Sequence, residues 1–159
     1  MKIALPTLIA AVAVAGVAFT TPADTMEGHK SVSPQEIKWG AAPDMLPPGA
    51  EAALLFGDPS KEGVFVLRLK FPAGYSVAPH THPVNEIVTV ISGTFYKGMG
   101  ETADPSKLQP LPAGSFFALP PGTAHYVSMK EETVIQISTN GPWGLTYINP
   151  KDDPRQKSQ

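Results

Sequence analysis

The chain has 159 residues, a formal net charge of −2, 42% hydrophobic and 16% charged residues, and no cysteine. That length sets a single domain with a real core. The absence of cysteine excludes disulfides, thiolate catalysis and cysteine-based zinc sites. The near-neutral charge, without Lys/Arg clusters, argues against a dedicated nucleic-acid binder.

In chain order, Lys2 opens a short positive start, and Ile3 to Phe19 form an apolar run rich in Ala, Val and Ile. The run is shorter than the ~20 apolar residues of a membrane-crossing helix, and Thr21-Pro22-Ala23 offers small residues for a cut before Asp24. Residues 1–23 therefore read as a secretory signal peptide, with an uncleaved anchor as the alternative. The expected location is periplasmic or secreted, with no membrane contact after cleavage.

Residues 24–53 read as an N-terminal extension, mostly loop, broken by Pro34, Pro43, Pro47 and Pro48. A barrel is expected over 54–148. Val64 to Phe71 alternates cleanly, with Phe65, Leu67, Leu69 and Phe71 on one face and Arg68 and Lys70 on the other. Further strands are expected at Ala50–Phe56, Glu86–Ile91, Thr94–Tyr96, Ser115–Leu119, Tyr126–Met129, Thr133–Ser138 and Leu145–Ile148. Turn chemistry fills 97–113, and 149–159 reads as a frayed polar tail. Many short strands between Gly and Pro turns, with 18 Pro and 14 Gly in all, indicate an all-β sandwich or barrel.

Four histidines occur: His29, His80, His82 and His125. His29 lies in the extension and carries no expected role. In a strand, residues i and i+2 share a face, so His80 and His82 can present two imidazoles to one point. Glu86 opens the next strand and can bring a carboxylate there, while His125 must arrive from elsewhere in the sheet. Three imidazoles and a carboxylate suit a divalent transition metal and leave coordination positions open. On its own, a His-x-His pair is more often a solvated loop than a ligand pair.

These residues fall into two longer patterns. Gly74, His80-Thr81-His82, Glu86 and Gly93 match every fixed position of the first motif of the cupin superfamily, which the stretch resembles. Gly114, Pro120-Pro121-Gly122 and His125 resemble the second motif. That pattern usually ends in Asn, and Met129 stands at the corresponding position; the Asn is not a metal ligand. Leu46-Pro47-Pro48-Gly49 before the barrel and Gly141-Pro142-Trp143-Gly144 near its end are similar to a branch of small exported cupins.

The resemblance implies a cupin-type double-stranded β-helix, or jelly-roll barrel, in a single domain. It implies that His80, His82, Glu86 and His125 converge on one divalent transition metal per chain, with Fe(II) or Mn(II) favoured over Ni, Cu or Zn. Tyr75, Phe95, Phe117, Tyr126 and Gln136 are the candidate pocket residues, although most aromatics in a small barrel are simply core. Strand parity puts Val127 and Met129 on the face of His125. No free general base stands out, so any chemistry falls to the metal.

The expected function is a metal-dependent enzyme acting on a small organic molecule, a dioxygenase-type oxidoreductase in the first instance. The alternatives are a metal-dependent lyase or isomerase, and a non-catalytic cupin that binds a ligand or metal as a sensor. The partner is a small-molecule substrate or ligand, with no nucleic acid. The sequence leaves the oligomeric state open, with a homodimer among the options, since closed twofold dimers are the commonest assembly.

Overall fold

A computed structural model describes residues 29–156, so the expected signal peptide lies outside the described residues. Eleven strands follow in chain order: β1 (Gly40–Ala41), β2 (Glu51–Phe56), β3 (Gly63–Phe71), β4 (Ser76–Thr81), β5 (Glu86–Ser92), β6 (Thr94–Met99), β7 (Gln109–Pro112), β8 (Phe116–Leu119), β9 (His125–Met129), β10 (Thr133–Gly141) and β11 (Thr146–Tyr147). Four single 3₁₀ turns are the only helical elements among the described residues, and none is long and apolar enough to cross a membrane.

The strands form two antiparallel sheets, ordered β1-β2-β3-β10-β5-β8 and β11-β4-β9-β6-β7. This is the two-sheet cupin jelly roll. The alternation expected for β3 holds along the strand, with Phe65, Leu67, Leu69 and Phe71 all buried. Its partner β10 answers in register, so that Ile135 lies opposite Leu69 and Ile137 opposite Leu67. The second sheet contributes Val77, Phe95, Val127 and Met129 to the same core. Phe71 and Phe95 meet across the sheets with ring centroids 6.4 Å apart.

Three stretches differ from the sequence reading. The sheets begin before residue 54, with β1 and the start of β2, and Ala50 and Ala53 are buried. Ala42, Met45 and Leu46 of the expected extension pack on the core. Residues 97–113 are not all turn: β6 runs to Met99, and Gln109–Pro112 pair with it as β7. Pro110 and Pro112 are tolerated because β7 is an edge strand of its sheet. Of the C-terminal stretch, the described part to residue 156 forms two 3₁₀ turns, with the Asn149 carboxamide accepting from Lys151 N–H and the Asp153 carboxylate from Arg155 N–H.

The most constrained turn of the first motif is at Gly93, between β5 and β6. Its φ is +71°, and a Cβ there would stand 2.4 Å from the Glu132 carbonyl oxygen and 2.8 Å from Thr133 Oγ1. Backbone is in the way, so side-chain adjustment cannot relieve the clash. Gly93→Ala should cost about 2–4 kcal/mol of stability, read as a lower urea midpoint at unchanged m-value.

Candidate metal centre

β4 does not run straight along β9. Val77 pairs with Val127, but the next aligned pair is His80 with His125, so three steps on β4 answer two on β9. This one-residue β-bulge reverses the alternation of β4. Val77 and His80 consequently both face the interior, and His82 follows His80 two residues on. Glu86 enters at the first position of β5 and His125 at the first of β9.

All four side chains are buried, with exposures of 3% for His80, 7% for His82, 5% for Glu86 and 1% for His125. The imidazole rings lie close, with centroids 4.2 Å apart for His80–His125 and 5.0 Å for His80–His82. One ligand-type nitrogen from each histidine falls within 4.8 Å of the others. The Glu86 carboxylate stands 3.1 Å from His125 Nε2 and 3.7 Å from His82 Nε2.

The outer nitrogens determine the state of the rings. His80 Nδ1 lies 2.8 Å from the Ala78 carbonyl, His82 Nδ1 2.7 Å from that of Gly144, and His125 Nδ1 3.1 Å from that of Thr123. A carbonyl oxygen only accepts, so each Nδ1 is the protonated nitrogen. In a neutral ring, each Nε2 is then a bare lone pair. His82 Nε2, His125 Nε2 and Glu86 Oε2 are buried without a hydrogen-bond partner, since lone pairs that meet, as the last two do at 3.1 Å, have no proton to share in that state. Buried unsatisfied polar atoms are costly. A divalent cation would satisfy them together, and oriented imidazole with a carboxylate is the right donor set for one. The residues present therefore fit a metal.

The cavity in front of these atoms is about 40 Å³ and is otherwise apolar. Leu67, Leu69, Ile135 and Ile137 form one wall. Trp143 closes over His82, its ring stacked on the imidazole with centroids 4.1 Å apart and planes at 18°.

Of the five expected pocket residues, Phe95 lines this cavity and the other four do not. Tyr75 precedes β4 and packs on Phe71, and its hydroxyl donates to the Pro47 carbonyl. Phe117 is one layer removed, stacked behind Phe95 at 5.8 Å. Tyr126 alternates with His125 and so faces outward, its hydroxyl donating to the Asp104 carbonyl at 2.8 Å. Gln136 lies between inward Ile135 and Ile137 and points away from the core, accepting from Arg68 Nε at 3.0 Å. Met129, in place of the usual Asn, is fully buried in the core.

The sequence reading missed Lys97. It follows Phe95 on the inward face of β6 and is only 8% exposed. Its Nζ donates to Met99 Sδ at 3.3 Å and lies 5.2 Å from the Phe117 ring centroid. Burial lowers its pKa, opposed by the charge of Glu86. Running the strand at Thr94–Tyr96 one residue further would have placed it.

Burial also depresses two of these histidines, His80 and His82. His80 is pushed down to about 3, chiefly by desolvation and then by His125 and His82. His82 is lowered by desolvation, against the pull of Glu86 and Gly144. In the unfolded chain both titrate near 6.5. Below that value the unfolded chain binds protons that the folded one refuses, so the metal-free protein loses stability as pH falls from about 6.5 toward 3. The slope reaches at most ~1.4 kcal/mol per pH unit for each histidine. Urea midpoints from pH 7 to pH 4 should show this decline, and His80→Gln should flatten it. A wild-type profile flat over that range would contradict the neutral, buried assignment.

Comparison with known proteins follows the geometry. The profile of a family described as "Domain of unknown function (DUF4437)" matches residues 31–146. No curated protein matches the chain. Among solved structures, the chain is similar to the polyketide cyclase RemF from Streptomyces resistomycificus, with a TM-score of 0.61 and 15% identity over 82% of this chain and 93% of the other. It is similar to a candidate acetylacetone dioxygenase from Methylibium petroleiphilum PM1, with a TM-score of 0.60 and 20% identity over 79% and 85%. It is also similar to an RmlC-like cupin from Shewanella frigidimarina NCIMB 400, with a TM-score of 0.54 and 15% identity over 70% and 89%. Likeness at this level of identity speaks for the fold. The chain belongs to the DUF4437 family, and its fold is that of the cupins.

Proposed function

We propose that the protein binds one divalent transition metal through His80, His82, His125 and Glu86, and is a metal-dependent enzyme acting on a small organic molecule. The observation that supports it most is the set of buried, partnerless His82 Nε2, Glu86 Oε2 and His125 Nε2 facing one small apolar space. A bound ion would supply Lewis acidity toward an oxygen-bearing substrate and, in the dioxygenase-type reading we favour, redox chemistry with dioxygen. Fe(II) or Mn(II) fits that reading best, and imidazole with carboxylate also accepts Ni, Cu or Zn. Proteins of the same fold include a candidate acetylacetone dioxygenase and a polyketide cyclase, in keeping with an enzyme that acts on a small organic molecule.

The protein's own part is positioning and exclusion of water. Ala78, Gly144 and Thr123 hold the three rings through their carbonyls. Glu86 brings the negative charge that offsets part of the ion's. The apolar walls keep water out and strengthen every electrostatic interaction within. The lining offers no separate acid or base, which favours chemistry at the ion over proton transfer by the protein. That same lack, with the small cavity, supports the second reading, a non-catalytic ligand- or metal-binding cupin. We also propose an exported protein, on the strength of the apolar run Ile3–Phe19 and the small residues that follow it.

Protein purified without chelators should hold about one transition metal per chain. The His80→Ala/His82→Ala variant should hold almost none, measured by elemental analysis. Oxygen uptake by the loaded protein with a panel of β-diketones and catechols then separates the two readings, binding without turnover favouring the module. A wild type that takes up none of Fe, Mn, Ni, Cu or Zn would sink the metalloenzyme reading and leave a ligand-binding barrel.

A further inference from the structure

The cavity before the histidines is about 40 Å³, far below the ~300 Å³ and upward of a site that encloses an organic ligand. Something must move to admit one. Most of the lining belongs to strands held in the two sheets. The exceptions are His82 itself, the Trp143–Leu145 loop, and Pro43, Met45 and Leu46 from the segment before β2. Trp143 is tied down, its ring stacked on His82 and in edge contact with Phe65 at 5.9 Å, and its backbone N–H donating to the Pro59 carbonyl at 2.7 Å.

The segment 42–48 is held differently. Its ends are joined to each other, Ala42 N–H donating to the Ala50 carbonyl at 3.1 Å, and Leu46 N–H donates within the loop to Pro43 at 3.0 Å. Among the described residues its hydrogen bonds to the barrel beneath come from two tyrosine hydroxyls reaching from below: Tyr147 donates to the Met45 carbonyl at 2.9 Å, and Tyr75 donates to that of Pro47; on the other side the charges of Asp44 and Arg155 attract one another. On the far side, between the segment and Pro154 and Arg155, is an open cleft of about 420 Å³. The strap thus rests on the site through a few half-buried apolar side chains and two neutral hydrogen bonds, with space behind it and the Asp44–Arg155 attraction drawing toward that space.

We propose that residues 42–48 form a gate over the metal centre, latched by Tyr75 and Tyr147, and that its swing toward the Pro154–Arg155 cleft is the route by which ion and small-molecule ligand enter and leave. The inference rests on the metal reading for what passes through, and on the geometry alone for the gate itself. A neutral hydrogen bond is worth about 1 kcal/mol net, so each latch lost should raise the open population about fivefold.

Two measurements on the full chain test it. The first needs no metal: amide exchange of Ala42 and Leu46 should proceed by local opening, well ahead of β3 and β10. Tyr75→Phe or Tyr147→Phe should speed it about fivefold each, leaving β10 unchanged. The second is the rate at which excess EDTA strips metal from the loaded protein, which should rise by the same factor in each variant. Tyr126→Phe is the control, since it removes a like bond on the outer face, to Asp104, and should leave both rates alone. Strap amides that exchange only with global unfolding, or stripping rates that respond alike to all three variants or to none, would overturn the gate. A wild type that opens locally with the expected tyrosine dependence but binds no metal would leave the gate standing and remove the metal reading.

Discussion

One extra residue in β4 underlies everything the site does. Between the pairs Val77–Val127 and His80–His125 the strand gains a step on its partner. Without it, an inward Val77 would require an outward His80. The bulge turns His80 and His82 into the barrel while leaving Val77 in the core. The carbonyl of Ala78, within the bulge, also accepts the Nδ1 proton of His80. His125 repeats the arrangement on the facing strand, bonding Thr123 two residues back. A local backbone irregularity thus aims a ring and sets its tautomer at once, a task otherwise requiring a distant partner such as Gly144 for His82.

How much of this was legible in the sequence follows from which interactions are local. The alternation of Val64–Phe71 reports burial directly, because one side of β3 faces the core along its length. The resemblance of the two motifs to those of cupins implied the grouping of His80, His82, Glu86 and His125, although it gave no sign of the bulge that unites Val77 and His80. A bulge is a property of a strand pair, and its partner lies in a separate stretch of chain. Tyr126 and Gln136 are instructive because parity already spoke against them. Val127 and Met129 share the face of His125, so Tyr126 could not, and Gln136 sits between two apolar inward neighbours. Residues 42–48, so rich in proline, read as loop and are loop. That they roof the cavity depends on two tyrosines far along the chain, Tyr75 and Tyr147, which no local pattern connects to them.

Met129 shows how the motif departs without loss of the site. Its side chain is completely buried on the inward face of β9, opposite Phe95 across the ladder. An asparagine at that point would bring an amide into aromatic and aliphatic surroundings, where each unpaired donor or acceptor is costly. Met fills such irregular space without a polar demand. The backbone around it is shared with the first motif, since Gly74 N–H donates to the Met129 carbonyl and Met129 N–H to that of Tyr75, each at 2.8 Å. The position thus couples the loop before β4 to the strand that carries His125, and it does so through main-chain groups that are indifferent to the side chain.

The charge balance of the interior bears on what a metal would relieve. Among the described residues, Glu86 is the buried carboxylate and Lys97 the buried ammonium, on facing sheets of one small barrel. The charge of Glu86 favours the protonated lysine against its burial. The buried carboxylate and ammonium offset one another, so the barrel does not need a cation to balance a net negative core. What remains unmet is directional: lone pairs on His82, His125 and Glu86 with nothing to receive them. Lys97 cannot answer that need, because its Nζ is engaged with Met99 Sδ above the Phe117 ring, one layer from the cavity. The offset charges and the unmet coordination are thus separated in space, and the ligand atoms stay available although the buried carboxylate already has its counter-charge.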